Sequence, residues 1–181
     1  MVKSARSATD WEDAALAAIA AHGLRSLSIP DLARSLGVTK GSFYWHFTGL
    51  PQLIEASLRR WEEIDRAALE EVREIEDPRA RLTALFREAM KSHEAHALYV
   101  ALSPSSDPAV AAILRRINDR RLQLLIDSFR ELGLGRAEAR EQALLTYSAY
   151  VGALHLRLRG ARAYVAHAVK TLIPRKMSPR A

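Results

Sequence analysis

The sequence predicts an all-α protein in which a small N-terminal domain of three helices, including a helix-turn-helix, precedes a larger helical domain. Apolar residues recur at spacings of three and four through most of the chain, and no segment alternates convincingly as a half-buried strand does. Aspartate followed by proline, at positions 77–78 and 107–108, is typical of helix starts. Gly37 and Gly133 each follow an apolar run, where a glycine commonly ends a helix.

Composition limits the class of protein. The 181 residues, of which 49% are hydrophobic, suffice for one small and one medium domain. The absence of cysteine excludes a disulfide framework and thiolate chemistry at a zinc or redox site. The chain begins with a polar segment and has no apolar run of the ~18 residues that a membrane span needs, so we expect a cytoplasmic protein. The net charge of +6 favours an anionic partner only weakly, because residues 1–54 hold five basic and four acidic side chains.

A first helix is predicted from Trp11 to His22. Thr9 or Asp10 can cap its N-terminus, and Gly23 directly follows its last residue. The face expected to be buried holds Trp11, Ala15, Leu16 and Ile19.

The segment from Ser28 to Phe47 predicts two short helices joined by a tight turn. Ser28 and Asp31 have the spacing of a capping box, in which the hydroxyl and the carboxylate bond reciprocally to the amides at a helix N-terminus. Apolar residues then recur at helical spacing up to Gly37, where a left-handed residue ends a helix at little cost. Thr39 is expected to cap a second helix, whose first turn is small, polar and basic and whose next turn is rich in aromatic residues. This order is typical of a helix-turn-helix.

The second of these helices carries groups that a DNA duplex binds. Hydroxyl, ammonium and amide groups lie near its N-terminus, where they can reach phosphate oxygens and base edges. Phe43 and Phe47 are four residues apart and are expected to face the core. An aromatic cluster alone would indicate only a hydrophobic core, but the capped helix and the glycine turn before it favour DNA binding. The predicted DNA contacts are Ser28, Thr39, Lys40, Gly41, Ser42, Tyr44, Trp45 and His46.

Roughly the first 60 residues closely resemble the DNA-binding module of the TetR family of transcriptional regulators. The resemblance lies in the segment 22–24 at the end of the first helix and in the runs 28–37 and 38–47. Leu50 departs from the family pattern, which usually places a phosphate-binding lysine near the start of the next helix. The resemblance implies a homodimeric regulator, typically a repressor, that binds a palindromic operator and is released by a small-molecule effector.

Further helices are predicted beyond residue 50. They span about residues 51–75, 78–93, 95–102, 108–132, 136–159 and 161–173. The first of them carries an apolar stripe that fits a coiled coil or, as we favour, a connector packed on a helical domain. Its stripe consists of Ile54, Leu58, Trp61, Ala68, Val72 and Ile75. We therefore divide the chain into a DNA-binding domain, residues 1–50, and an effector-binding and dimerisation domain, residues 51–181.

The helix predicted over residues 136–159 has a face that suits contact with another helix. Its large apolar residues alternate spacings of three and four, and small residues beside them allow close approach. By itself this pattern also fits an intrachain core. In TetR regulators the final two long helices pair across a two-fold axis, and the resemblance therefore implies a homodimer interface. The implied interface residues are Leu144, Val151, Leu154, Leu158, Val165 and Leu172.

The resemblance also places a small-molecule site in the larger domain. Apolar and aromatic side chains with few polar groups suit a drug-sized, largely hydrophobic effector. Each of these residues equally fits an ordinary core position. The predicted ligand-binding residues are Trp61, Phe86, Met90, His93, Tyr99, Leu122, Phe129, Tyr147 and Tyr150.

An enzymatic function is not expected. His93 and His96 have a spacing that suits two metal ligands, but they do not complete a metal-hydrolase motif. The chain also lacks a plausible arrangement for a catalytic triad. We therefore expect neither a metal nor another cofactor. The alternative to a ligand-responsive regulator is a helical dimer that binds DNA constitutively, without a small-molecule ligand.

Overall fold

Helices form the regular secondary structure of the described part of the chain, and the predicted all-α fold is confirmed. A computed structural model describes residues 6–91 and 93–156, without the side chains of residues 88–91, 93–95 and 154. The helices are α1 (Ala8–His22), α2 (Ile29–Leu36), α3 (Lys40–Phe43), α4 (Leu50–Arg73), α5 (Pro78–Lys91), α6 (His93–Leu102), α7 (Pro108–Glu131) and α8 (Arg136–His155). A 3-10 turn, Leu24–Ser26, follows α1. No helix in this part of the chain combines the length and hydropathy that a membrane crossing requires.

Helix boundaries agree with prediction where local signals are strong. Asp77 caps α5 by accepting a hydrogen bond of 3.0 Å from an amide of its first turn. Asp107 caps α7 in the same way, at 2.8 Å. Gly37 ends α2 with a φ of 68°, and Gly133 follows α7 with a φ of 98°. Both glycines occupy the left-handed region that other residues rarely adopt.

The start of α1 differs from the prediction. The helix begins at Ala8 instead of Trp11, because Ser7 is its N-cap and not Thr9 or Asp10. Ser7 and Asp10 form a capping box in which the Ser7 amide donates to the Asp10 carboxylate at 2.7 Å. The Asp10 amide in turn donates to the Ser7 hydroxyl at 3.2 Å.

The second helix of the helix-turn-helix is shorter than predicted. α3 ends at Phe43, and the aromatic residues after it lie in turns instead of regular helix. The amides of His46 and Phe47 both donate to the Phe43 carbonyl, each at 3.0 Å. Thr39 occupies the predicted N-cap position, but its hydroxyl makes no capping bond.

The apolar stripe of α4 is shifted from the predicted one. Ala68, predicted to face inward, is exposed, and Leu69 is buried instead. Ile54 is only half-buried, whereas Leu53 is fully buried. Since successive residues on a helix are about 100° apart, a difference of one position turns the stripe toward another neighbour. Leu58, Trp61 and Val72 are buried as predicted.

The described residues fall into two compact units. The first contains residues 6–65 and 93–115, so it includes α6, which packs against α1. Its core contains Trp11, Ala15, Leu32, Ala33, Phe43, Phe47 and Leu53. The second contains residues 66–91 and 116–156, and α4 and α7 contribute to both units. Its core includes Leu82, Leu124, Leu125, Phe129, Ala139 and Ala143. The domain boundary at residue 50 stays a prediction.

Candidate DNA-binding surface and effector cavity

Aromatic packing fixes α3 within the first unit. The Trp11 and Phe43 rings meet edge to face with their centroids 5.3 Å apart, and Phe43 lies 5.5 Å from Phe47. All three side chains are buried, so the two phenylalanines face inward as predicted. This arrangement determines which side of α3 faces outward.

Ser28 fixes the beginning of α2. Its hydroxyl accepts from the Asp31 amide at 3.3 Å and donates to the Asp31 carboxylate, which therefore binds the hydroxyl and not, as predicted, the Ser28 amide. Arg34 donates to the same carboxylate at 2.6 Å. The hydrogen bond from Ser28, followed by that from Arg34, lowers the pKa of Asp31 below its ordinary value of 3.8. Ser28 is half-buried, and its hydroxyl serves primarily to start α2.

The outward side of α3 and the turn after it carry most of the predicted DNA contacts. Tyr44 is 62% exposed and Trp45 is 87% exposed, which is unusual for aromatic side chains of this size. Thr39, Lys40 and Gly41 are exposed as well, and Ser42 is half-buried. These residues present hydroxyl, ammonium, amide and ring groups along one short segment, a combination suited to phosphates, sugars and base edges.

His46 is held within the protein more than the sequence indicates. Its Nε2 lies 2.8 Å from the carbonyl oxygen of Arg6, before the start of α1. The Arg6 side chain donates to the Leu36 carbonyl at 3.2 Å and lies 3.8 Å from Asp10. Sequence reasoning missed Arg6, for which the available signal was only a basic residue four positions before an acidic one. The contacts indicate that His46 positions the outward segment.

The start of α4 provides no cation. Leu50 is half-buried against the core of the first unit. The side-chain oxygen of Gln52 accepts a hydrogen bond of 2.6 Å from the Thr48 amide. The usual lysine contact to a phosphate therefore has no equivalent at Leu50.

Three predicted ligand-binding residues come together in the second unit. Phe86 and Tyr150 meet edge to face at 6.2 Å, and Tyr147 stacks on Tyr150 at 6.2 Å. The Tyr147 hydroxyl donates to the Asn118 side-chain oxygen at 2.8 Å. The cavity beside them has a volume of about 20 Å³. It is lined by Leu85, Phe86, Arg121, Leu125, Tyr147 and Tyr150. Such a volume accommodates roughly one water molecule, whereas drug-sized ligands occupy ~300–1,000 Å³.

The other predicted ligand-binding residues lie apart from this cavity's lining. Phe129 is fully buried in the core of the second unit, and Leu122 packs against that core. Trp61 and Tyr99 are buried within the first unit. The side chains of Met90 and His93 lie outside the described residues. Among the side chains that are described, no group of three acidic or histidine residues is placed to hold a metal ion.

The predicted dimer face of α8 is divided between solvent and the core of its own unit. Leu144 is 41% exposed, and its neighbour Leu145 is 61% exposed. Val151 is half-buried and packs against the core of the second unit, as does Tyr147. The side chain of Leu154, residues Leu158, Val165 and Leu172, and the predicted helix 161–173 lie outside the described part.

Comparison with known proteins identifies the helix-turn-helix segment and the fold. Residues 13–56 match the family model of bacterial regulatory proteins, tetR family. Over 46 residues the chain is 41% identical to the HTH-type transcriptional regulator SrpR of Pseudomonas putida, a match that covers 25% of this chain and only 22% of that relative.

Solved structures share the architecture over nearly the whole chain. A TetR transcriptional regulator from Legionella pneumophila aligns with a TM-score of 0.81 at 16% identity, covering 96% of this chain and 100% of that one. The transcriptional regulator FadR from Bacillus subtilis, solved with stearoyl-CoA, aligns with a TM-score of 0.69 at 15% identity, covering 92% and 98%. At these identities the likeness concerns the fold alone.

Proposed function

This chain belongs to the TetR family of bacterial regulatory proteins, and we propose that it is a transcriptional repressor that binds a palindromic operator as a homodimer. The observation that carries the proposal is the outward segment of the helix-turn-helix. The inward side of this segment packs into the core through Phe43, while Lys40, Tyr44 and Trp45 are exposed. The Tyr44 ring meets Phe43 edge to face at 5.2 Å, but most of its surface and of the Trp45 surface is exposed to water, and a DNA groove would cover both rings.

The proposed contacts divide by chemistry. Lys40 is suited to a phosphate, and the hydroxyls of Thr39 and Ser42 to phosphates or base edges. The rings of Tyr44 and Trp45 supply apolar surface for sugars and thymine methyl groups. In a dimer, recognition segments in successive major grooves would lie ~34–36 Å apart, so the operator should be a near-palindrome.

A change at Lys40 tests the DNA assignment. After selection of bound DNA sequences, Lys40→Ala should weaken binding and reduce the slope of log affinity against log salt by about one unit, because one phosphate contact is lost. Arg59→Ala is the matched control, since it removes an exposed charge from α4 in the same unit. Fluorescence anisotropy over a salt series measures both variants. Unchanged binding after replacement of Thr39, Lys40 and Tyr44 together would refute the assignment.

The effector in this proposal is a small, largely hydrophobic molecule that binds beside Phe86, Tyr147 and Tyr150. The aromatic walls with one hydroxyl-to-amide hydrogen bond provide apolar area and a point of orientation. A regulator of the same fold was solved with stearoyl-CoA, which supports an acyl or similarly apolar ligand. The cavity of about 20 Å³ must widen for such a ligand, so binding would favour a different conformation.

Ligand release is testable with defined probes. Long-chain acyl-CoA molecules and hydrophobic drugs are screened for a rise in melting temperature and then titrated against the protein–operator complex. A true effector should lower operator affinity by ~5–150-fold, the range of ~1–3 kcal/mol of coupling. Tyr147→Phe should weaken the response while DNA binding without ligand survives. A stabilising ligand that leaves operator affinity unchanged would contradict the mechanism.

The small cavity also favours a second candidate, a dimer that binds DNA constitutively. A cavity that holds about one water offers no ready space for an effector in this conformation. If no compound both stabilises the protein and changes operator affinity, the constitutive function is the better description.

A further inference from the structure

The second unit also contains an open groove whose walls are rich in arginine. It has a volume of about 640 Å³. The groove is lined by Arg73, Arg81, Leu124, Asp127, Arg130, Glu131, Leu134, Gly135 and Arg136. These residues come from the last turns of α4 and α7, from the start of α5 and from the turn that leads into α8. The groove and the aromatic cavity share no lining residue, although Leu124 of the groove is next in sequence to Leu125 of the cavity.

Arg81 forms a fixed part of the wall. It is only 8% exposed, and its guanidinium donates to the Ile75 carbonyl at 2.8 Å and to the Glu76 carbonyl at 3.2 Å. It also donates to the Glu131 carboxylate at 2.7 Å. The charge of Glu131 is therefore compensated within the protein, and Arg81 has little capacity left for a ligand.

The remaining charges leave a positive surplus. The groove is lined by four arginines and two carboxylates. Within the described part of the chain, Arg130 and Arg136 are exposed and form no ion pair, whereas Arg73 lies 3.6 Å from Glu70. Asp127 accepts from Gln123 at 2.8 Å. Glu138, in the first turn of α8, is the nearest further acidic residue along that helix.

The turn into α8 adds backbone donors to the two arginines. Gly135 precedes the helix, and its carbonyl accepts from Ala139 at 2.8 Å. Because glycine has no side chain, residue 135 cannot cap the amides of the first turn, and the dipole of this 20-residue helix adds partial positive charge there. Arg130, Gly135 and Arg136 all line the groove, so the start of α8 lies at its wall together with the two arginines.

We propose that this groove binds a small molecule through a phosphate or carboxylate group, held chiefly by Arg130 and Arg136. Guanidinium groups bind the oxygens of such groups in pairs, with the geometry of two parallel hydrogen bonds. Leu124 and Leu134 supply apolar surface beside the charges, on which the rest of the molecule can lie. The chemistry differs from that of the aromatic cavity, so the site is a second ligand site and does not depend on the proposed effector.

Calorimetry with inorganic phosphate, pyrophosphate and citrate tests the proposal and separates the two anion classes. Each probe is titrated into the full-length protein at constant ionic strength, with chloride as the reference salt. At least one probe should bind, and Arg130→Gln together with Arg136→Gln should weaken it about tenfold or more, because charge-assisted hydrogen bonds are lost. Arg115→Gln together with Arg140→Gln is the matched control, since it removes two exposed charges from the same two helices outside the groove.

The outcomes are distinguishable. Tighter binding of phosphate and pyrophosphate than of citrate identifies a phosphate site, and the reverse order identifies a carboxylate site. Equal loss in the groove and control variants would show general charge attraction and overturn the proposal. If Lys40→Gln abolishes binding of the probe instead, the anion binds at the proposed DNA-binding surface, and this result would also overturn the proposal. Circular dichroism checks that each variant retains its helix content.

Discussion

At the residue scale, Gly41 is informative because the protein itself does not require a glycine there. A Cβ atom added to Gly41 would meet the Thr39 hydroxyl at 3.7 Å, an ordinary van der Waals distance. Its φ is also outside the left-handed region, unlike those of Gly23 and Gly37. Gly41 lies in α3 on the exposed segment of the helix-turn-helix. Packing within the first unit therefore does not require a glycine at position 41, and close approach of DNA to the backbone is the reason that we propose for it.

Gly41→Ala should affect stability and DNA binding in opposite directions. Alanine is favoured over glycine in a helix by roughly 0.5–1 kcal/mol, so the free energy of unfolding should increase by up to that amount. The added methyl group should lower operator affinity if DNA approaches the backbone closely. Urea unfolding and fluorescence anisotropy measure the two effects. A variant that is more stable and binds the operator as well as wild type would exclude the close approach.

At the element scale, an ion pair links α1 to α4 within the first unit. Arg60 donates to the two oxygens of Asp13 at 2.7 and 3.3 Å, and Glu12 lies 3.9 Å away. The hydrogen bond that Arg60 donates to Asp13 raises the pKa of Arg60, which remains charged at any physiological pH. This bidentate contact joins residues 47 positions apart in the sequence. The contact therefore joins α4 to α1, whose Trp11 packs against Phe43 of α3.

A double-mutant cycle with Arg60→Met and Asp13→Ala measures this link. Partly exposed pairs contribute ~0.2–1 kcal/mol, and we expect the upper end of that range because the geometry is bidentate. The coupling should shrink in high salt. Arg59 and Glu55 form a comparison pair within α4, for which ~0.3–0.5 kcal/mol is typical. A coupling for Arg60 and Asp13 no larger than that of the comparison pair would show that the contact does not join the helices measurably.

Local sequence signals predicted where the helices begin and end better than they predicted which face of a helix is buried. Asp77, Asp107, Gly37 and Gly133 mark helix ends through interactions within a few residues, so the sequence alone was sufficient. The cap of α1 differs from the prediction although Ser7 and Asp10 have the spacing of a capping box, because Thr9 and Asp10 are themselves residue types that cap helices. Which residues of α4 face inward depends on neighbours distant in sequence, and the one-residue shift from Ala68 to Leu69 reflects that.

The candidate sites show the same difference between features that follow from local sequence and features that depend on residues distant in the sequence. The exposure of Tyr44 and Trp45 follows from the inward spacing of Phe43 and Phe47, so this exposed aromatic surface could be inferred from periodicity. The contact between the His46 ring and the Arg6 carbonyl involves a backbone group 40 residues away, so no sequence pattern predicts it. The arginine groove likewise arises from helix ends that only the fold brings together.

At the scale of the whole molecule, the exposed leucines of α8 bear on assembly. Leu144 and Leu145 are large, apolar and accessible, whereas Val151 already packs against the core of its own unit. A charge at Val151 would therefore damage the subunit as well as any interface. Leu144 and Leu145 are the cleaner positions at which to test the proposed homodimer, because their change leaves the core of the second unit intact.

Leu144→Glu with Leu145→Glu should convert the proposed dimer into a monomer. In the dimer each change would bury a carboxylate against apolar surface, at a cost of several kcal/mol. In the monomer the same carboxylate stays in water, so the monomer is not destabilised. Sedimentation velocity at micromolar concentration measures the change, and operator affinity should fall with it because one helix-turn-helix contacts only a half-site. Ile64→Glu is the matched control, since Ile64 is also exposed but lies on α4. If the wild type sediments as a monomer, or if the double variant remains dimeric and binds the operator normally, the exposed leucines of α8 do not form the dimer interface.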